Sequence, residues 1–334
     1  MKRAWIAFWT TLILVLPIRI FTVLRYLNPQ TGFYADNGKM VGTASILLFV
    51  GIILSVIFVG KSAARKLDMK SLRNIPTAVL GALAGIFVLI QSIVGLSTGS
   101  LGAGQIFYRI FSVAGILAGV VLILAAYDFA TGSSMVANRP LLALILPVWG
   151  CLFLVVLFIT YSAVVNLVEN VYHTFTVVFL LLFLFMQAKL LTGIESDNTG
   201  KTIYMVGYPA ALLALVTALP SCIQFFSVGE TAGVVPIGMH MANIVLAFYI
   251  IAFLLALQNR VIVEEPQLAE EAVLPSAEQK EEQSDDLKIE QQDKEDPLAM
   301  YVAFLDGHYG GSRMFACVQP SPFYSRESVK KEES

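Results

Sequence analysis

The chain has 334 residues, of which 57% are hydrophobic and only 14% are charged, and its mean hydropathy is +0.75. A soluble domain averages about 25% charged residues, so this composition excludes an ordinary globular protein and indicates lipid as the solvent for most of the chain. The net charge of -2 is the sum of two regions of opposite charge. Residues 1–263 hold 15 Lys and Arg against 7 Asp and Glu, whereas residues 264–334 hold 7 Lys and Arg against 17 Asp and Glu. We therefore expect a basic transmembrane domain, residues 1–262, followed by an acidic tail, residues 263–334.

Eight stretches are apolar enough to cross a bilayer as helices of about 20 residues. In chain order they are residues 4–26, 40–60, 76–96, 105–127, 141–162, 171–191, 203–226 and 236–257. The first is longer than the apolar part of a signal peptide and lacks a small-residue cleavage site after it, so we interpret it as an uncleaved span. The predicted fold class is all-α: a polytopic integral membrane protein with a bundle of about eight transmembrane helices.

The first connection, residues 25–39, contains the turn-forming pairs Asn-Pro, Thr-Gly and Asn-Gly. This pattern predicts a compact loop that caps one end of the bundle. Phe33 and Tyr34 lie between the turns, where aromatic rings commonly anchor a protein at the membrane interface.

The connection between spans two and three fixes the expected orientation. Residues 61–74 hold five basic residues and one acidic residue, so the positive-inside rule predicts that this loop faces the cytoplasm. With eight spans, both termini are then cytoplasmic, and eleven basic residues lie inside against four outside. We expect a multi-pass protein of the cell membrane.

Spans three and four carry small residues spaced by four, at Gly81 and Gly85 and at Gly115 and Gly119. Such spacing places both glycines on one helix face, where it allows close approach of a second backbone. A short uncharged loop joins the two spans, so we expect them to form a closely packed antiparallel pair.

The fifth and sixth spans belong to one apolar run from Leu141 to Leu191. A straight helix of that length would be about 76 Å long, whereas the hydrocarbon core is about 30 Å thick. The run must therefore turn back once, and the polar cluster Asn166–His173 predicts where. Glu169 is accordingly expected at the membrane surface, either as a plain loop acid or as part of a working site.

Polar residues within spans are costly and often functional, and here they gather toward the predicted outer side. Snorkelling to water is the alternative for the two arginines, and simple helix packing is the alternative for the histidines and amides. Asn243 lies deepest and therefore most needs a partner. The candidate outer-facing polar site consists of Arg19, Arg109, Asn166, Glu169, His173, Gln224, His240 and Asn243.

The sequence has no HExxH and no phosphate-binding GxxxxGK[ST] pattern. Asp128 has no second aspartate at span depth with which to form an aspartyl-protease site, and the three cysteines show no CxxC spacing. We therefore predict that the protein is not an enzyme and that it uses no cofactor and no metal. A membrane enzyme acting on lipid-linked substrates stays as a minor alternative, supported only by the Arg, Glu and His residues together.

Two functions remain. The first is a transporter or permease for a small solute, indicated by the polar site and by Pro209 and Pro220 within span seven. The second is a non-enzymatic scaffold or sensor acting through residues 263–334, whose acidic composition predicts disorder. The corresponding partners are the lipid bilayer, a small solute and a cytoplasmic protein that binds the tail; no nucleic acid is expected.

Overall fold

Eight α-helices make up most of this computed structural model, which describes residues 2–28, 30–62, 66–67, 73–98, 105–162, 167–193, 199–229, 235–258 and 261–262. The helices are α1 Lys2–Tyr26, α2 Lys39–Gly60, α3 Ile75–Thr98, α4 Gln105–Thr131, α5 Pro140–Ser162, α6 Val168–Leu191, α7 Thr199–Val228 and α8 Ile237–Gln258. Each is long and apolar enough to cross a membrane, which confirms the predicted all-α fold class and the number of spans. A two-residue antiparallel pairing joins β1, Lys66–Leu67, to β2, Val261–Ile262.

The distribution of side chains is the reverse of that in a soluble protein. Large apolar residues such as Ile13, Leu141 and Phe158 are exposed, whereas the polar residues Arg19 and Gln187 are fully buried. An apolar exterior is stable only where lipid replaces water as the solvent. The structure is therefore that of a multi-pass membrane protein.

The helices α3 to α8 form a ring. Each packs against the next along the chain, and α8 packs against α3 to close the ring. The helices α1 and α2 pack against one another and against α7 from outside the ring. This arrangement makes α7 and α8 the most buried helices, and polar residues on them face protein and not lipid.

The predicted close packing of α3 and α4 is confirmed. A Cβ atom added at Gly85 would lie 2.8 Å from the carbonyl oxygen of Gly119, and one added at Gly119 would lie 2.8 Å from that of Gly85. No real side chain fits in such a space, so the two backbones touch directly at this crossing.

The loop between α1 and α2 is compact, as the turn pairs predicted. The backbone N–H of Ala35 donates to the carbonyl of Tyr26 at 2.8 Å, and that of Gly32 donates to the carbonyl of Asn28 at 2.8 Å. Gly32 and Gly38 have φ angles of +71° and +77°, a conformation that glycine adopts without strain. The loop packs over Leu167, immediately before α6.

Asp128 has a structural role at the end of α4. Its carboxylate accepts hydrogen bonds from the Ser133 hydroxyl and from the backbone N–H groups of Met135, at 3.1 Å, and Val136, at 2.8 Å. These bonds hold the turn that leads into α5.

Replacing Asp128 by alanine should lower the free energy of unfolding by about 2 kcal/mol, because it leaves buried backbone donors without an acceptor. Thermal unfolding of the purified protein in detergent measures the loss. Asp128→Asn is the matched control, since it keeps one oxygen acceptor and should lose less. Equal unfolding temperatures for Asp128→Ala and the wild type would contradict this role.

Two predictions concern parts of the chain outside the described residues. They are the place of Asn166 in the polar site and the disorder of the tail, residues 263–334.

Candidate functional site

A buried ion pair joins α1 to α6. The Nη2 atom of Arg19 donates to both carboxylate oxygens of Glu169, at 3.0 Å and 2.8 Å. The two side chains are 0% and 3% exposed, so neither charge reaches water. The interpretations of Arg19 as a snorkelling residue and of Glu169 as a plain acid of a surface loop are therefore wrong, because each charge is neutralised inside the protein by a partner on another helix.

Two tyrosines and a serine complete the surroundings of this pair. The Tyr34 hydroxyl accepts from Nη1 of Arg19 at 2.9 Å and donates to Oε1 of Glu169. The Tyr172 ring lies under the guanidinium, with its centroid 4.2 Å from Cζ, and the Tyr172 hydroxyl bonds to Ser45 at 2.7 Å. Burial and the adjacent Glu169 raise the pKa of Tyr34, so its hydroxyl keeps its proton and remains a donor to Glu169.

Tyr34 is the contact through which the first loop closes one end of the bundle. We call this end, defined by the close of α1, the loop 27–38 and the start of α6, the Arg19 end. The sequence predicted an interfacial anchor at Phe33 and Tyr34. Phe33 is exposed and fits that role, but Tyr34 is turned inward by its bonds to Arg19 and Glu169.

A pair of histidines continues the polar surface into the bundle. The rings of His173 on α6 and His240 on α8 lie 5.0 Å apart, and both residues are buried. Asn243 follows one turn after His240 and is also buried. Within the described part of the chain, the buried polar atoms without a hydrogen-bond partner include Nε of Arg19, Nδ1 of His240 and Oδ1 of Asn243.

The helix α7 contributes hydroxyl and amide groups to the same interior. The Thr217 hydroxyl lies 3.2 Å from that of Thr176 on α6, and Gln224 is buried two turns farther along α7. A separate hydrogen bond, from Gln187 on α6 to the Tyr249 hydroxyl on α8, lies deeper in the bundle. Polar side chains from four helices thus face protein and not lipid.

The structure divides the predicted site residues into groups. Arg19 pairs with Glu169, and His173 contacts His240. Gln224 and Asn243 are buried on the neighbouring helices α7 and α8. Arg109 is exposed at the start of α4. Its position does not meet the expectation that it lines one cavity with Arg19, and it agrees with the alternative that its side chain snorkels to water.

Sequence reasoning did not place Tyr34, Tyr172 or Ser45 in the polar site. It also began the sixth span at residue 171, whereas α6 begins at Val168, because it assigned polar residues to the turn. A signal was present, since Glu169, Tyr172, His173 and Thr176 recur at i, i+3, i+4 and i+7. That spacing describes one face of a helix and would have placed all four on the same buried surface.

The cluster offers binding chemistry. It presents a neutralised ion pair, hydroxyl groups, two imidazoles and an amide, which together supply hydrogen-bond donors and acceptors to a polar ligand. Among the described residues there is no group of three or more His, Cys, Asp or Glu side chains able to hold a metal ion.

Comparisons with known proteins do not indicate what this cluster binds. No family model matches the chain, and neither the curated proteins nor the solved structures give a significant match.

Proposed function

We propose that the protein is a non-enzymatic membrane transporter, or permease, whose small polar solute binds in the interior between α1, α6, α7 and α8. The observation that carries this proposal is the set of unpaired buried atoms on Arg19, His240 and Asn243. An unsatisfied buried polar group costs about 1–3 kcal/mol, so a ligand that pairs with one of these atoms removes that cost. Polar groups that face a bundle interior commonly mark solute or ion pathways.

The unpaired atoms also indicate the chemistry of the solute. Nε of Arg19 is a donor, Oδ1 of Asn243 is an acceptor, and Nδ1 of His240 serves as either, depending on its tautomer. A small molecule carrying both an acceptor and a donor, such as an amino acid or a hydroxy acid, complements this set. The charge of the Arg19–Glu169 pair is already balanced, so no large net charge is required of the solute.

Access to this interior involves the Arg19 end. Tyr34 sits on a loop and bonds both members of the ion pair, so movement of that loop exposes the guanidinium. Pro209 and Pro220 lie within α7, and each removes a backbone hydrogen bond and eases bending of that helix. Positive residues on the loop 61–74 support a cytoplasmic location for that loop and an outward location for the Arg19 end in the cell membrane.

A thermal-shift screen tests the proposal. The purified protein is heated in detergent with amino acids, hydroxy acids, sugars and dicarboxylates, one at a time. A solute at a hundredfold excess over its Kd should stabilise the folded protein by about 2.7 kcal/mol. The shift should disappear in Asn243→Leu and persist in Arg109→Ala, which alters an exposed arginine at the same predicted side. Uptake of the same solute into proteoliposomes should follow the same pattern.

The rival function, a scaffold or sensor acting through the tail, is distinguished by a chain ending at residue 262. The transporter proposal requires the truncated protein to keep both the thermal shift and the uptake. A solute that stabilises Asn243→Leu as well as the wild type would place its site elsewhere, and failure of every solute in the screen, together with loss of the cellular phenotype on truncation, would favour the tail.

A further inference from the structure

A groove opens toward lipid between α5 and α6. It has a volume of about 600 Å³, and its walls include Leu154 and Phe158 from α5 and Phe175 and Val178 from α6. Phe158 is 74% exposed, so this wall stands free of other helices within the described part of the chain. The exposed wall of the groove lies on the outer surface of the bundle, and Asn170 in its α6 wall directly follows Glu169 of the ion pair described above.

The unpaired polar atoms of the groove lie at one end. The Tyr161 hydroxyl, in the last turn of α5, and Nδ2 of Asn170, in the first turn of α6, both lack a hydrogen-bond partner among the described residues. Asn170 is only 3% exposed, so bulk water does not satisfy its amide. An acceptor oxygen at this end of the groove would satisfy these unpaired groups.

The length of the groove matches one leaflet. Asn170 and Val178 are eight residues apart on a helix, which is about 12 Å, and half of the hydrocarbon core is about 15 Å thick. The polar end lies where α5 and α6 meet, at the membrane surface, and the apolar part extends toward the midplane. A molecule that fits must therefore be polar at the surface and apolar for the depth of one leaflet.

We propose that this groove binds one acyl chain of a membrane phospholipid, with an ester carbonyl oxygen accepting hydrogen bonds from Tyr161 and Asn170. An ester carbonyl lies at the top of each acyl chain, at the depth where these donors are. A transmembrane helix of a partner does not fit as well, because it needs a complementary surface across the full bilayer of about 30 Å.

A second cavity, on the other side of α6, has similar apolar walls but, among the described residues, no unpaired polar groups of the kind found in the groove. It has a volume of about 150 Å³ and apolar walls that include Phe49 and Phe179. Its polar groups, Ser45 and Tyr172, already bond to each other at 2.7 Å. The α5–α6 groove is thus distinguished by its unpaired donors and not by its apolar walls.

Fluorescence quenching tests the site. Phe158→Trp places a reporter in the wall, and the signal of the wild-type chain, with its own tryptophans, is subtracted. The probe is phosphatidylcholine with dibrominated acyl chains, titrated into detergent micelles containing the purified protein. We expect saturable quenching, and the lipid concentration at half quenching should rise about tenfold when Tyr161→Phe and Asn170→Leu are added, since each removes one hydrogen bond. Thr10→Val, which removes an exposed hydroxyl from the lipid-facing side of α1, should leave the concentration unchanged.

Three results would overturn the proposal. The first is an unchanged half-quenching concentration in a Tyr161→Phe/Asn170→Leu variant whose circular dichroism and elution match those of the reporter protein. The second is equal quenching by a dibrominated free fatty acid, which would assign the groove to a carboxylate in place of an ester. The third is a dimer in native mass spectra that shields the reporter from lipid, which would assign the groove to a second copy of the chain.

Discussion

Replacing Glu169 by glutamine is expected to lower the free energy of unfolding by about 3–5 kcal/mol, because it leaves the Arg19 guanidinium buried without a counter-charge. The Arg19 side chain is 0% exposed, and its remaining neighbours, the Tyr34 hydroxyl and the Tyr172 ring, carry no net charge to balance it. Arg19→Met should cost a similar amount, since it leaves the carboxylate of Glu169 buried and unpaired. Thermal and denaturant unfolding in detergent measure both losses.

The double variant Arg19→Met/Glu169→Gln separates pairing from general damage. Removing both charges eliminates the uncompensated ion, so the double variant should recover most of the stability that either single variant loses. Arg109→Met is the matched control: this arginine is exposed, and its loss should change stability by less than about 0.5 kcal/mol. Additive losses in the double variant would show that the two side chains are not energetically coupled.

The positions of the spans were readable from the sequence because one physical length decides them. A helix must cross about 30 Å of hydrocarbon, and stretches of about 20 apolar residues therefore stand out against their polar connections. The same argument correctly predicted the turn between Leu141 and Leu191. The glycine spacing also predicted the close packing of α3 and α4 correctly, because Gly85 and Gly119 are needed where these two backbones touch.

The pairing of polar residues was not readable in the same way. Arg19 and Glu169 are 150 residues apart, and no local pattern says that α1 lies beside the start of α6. That neighbourhood depends on the closure of the ring from α3 to α8 and on the docking of α1 on α7. Tyr34 was assigned to the interface for the same reason, because its partners are brought together only by the tertiary fold. Which polar residues are buried together therefore depends on which helices are neighbours, and a hydropathy pattern does not contain that information.

Gly85→Leu is expected to lower the free energy of unfolding by about 3 kcal/mol, because even a Cβ atom at this position lies 2.8 Å from the carbonyl oxygen of Gly119. The obstacle is backbone, so rotation of a side chain does not relieve it and the two helices must move apart. Thermal unfolding in detergent measures the effect. Gly42→Ala is the control, since an added Cβ there meets nothing within 4 Å and alanine favours the helix by up to about 1 kcal/mol.

The displacement of α3 in Gly85→Leu should also change the polar interior, because α8, which carries part of it, packs against α3 to close the ring. A Cβ at Gly81, one turn from Gly85, would lie 3.0 Å from the Tyr249 ring, and Tyr249 accepts the hydrogen bond of Gln187. Moving α3 therefore loosens the support of α8, which carries His240 and Asn243. We expect Gly85→Leu to weaken any solute-dependent thermal shift that Asn243→Leu abolishes, whereas Gly42→Ala keeps it. Full retention of that shift in a destabilised Gly85→Leu protein would show that α8 holds its position without α3, and that the ring closure serves stability alone.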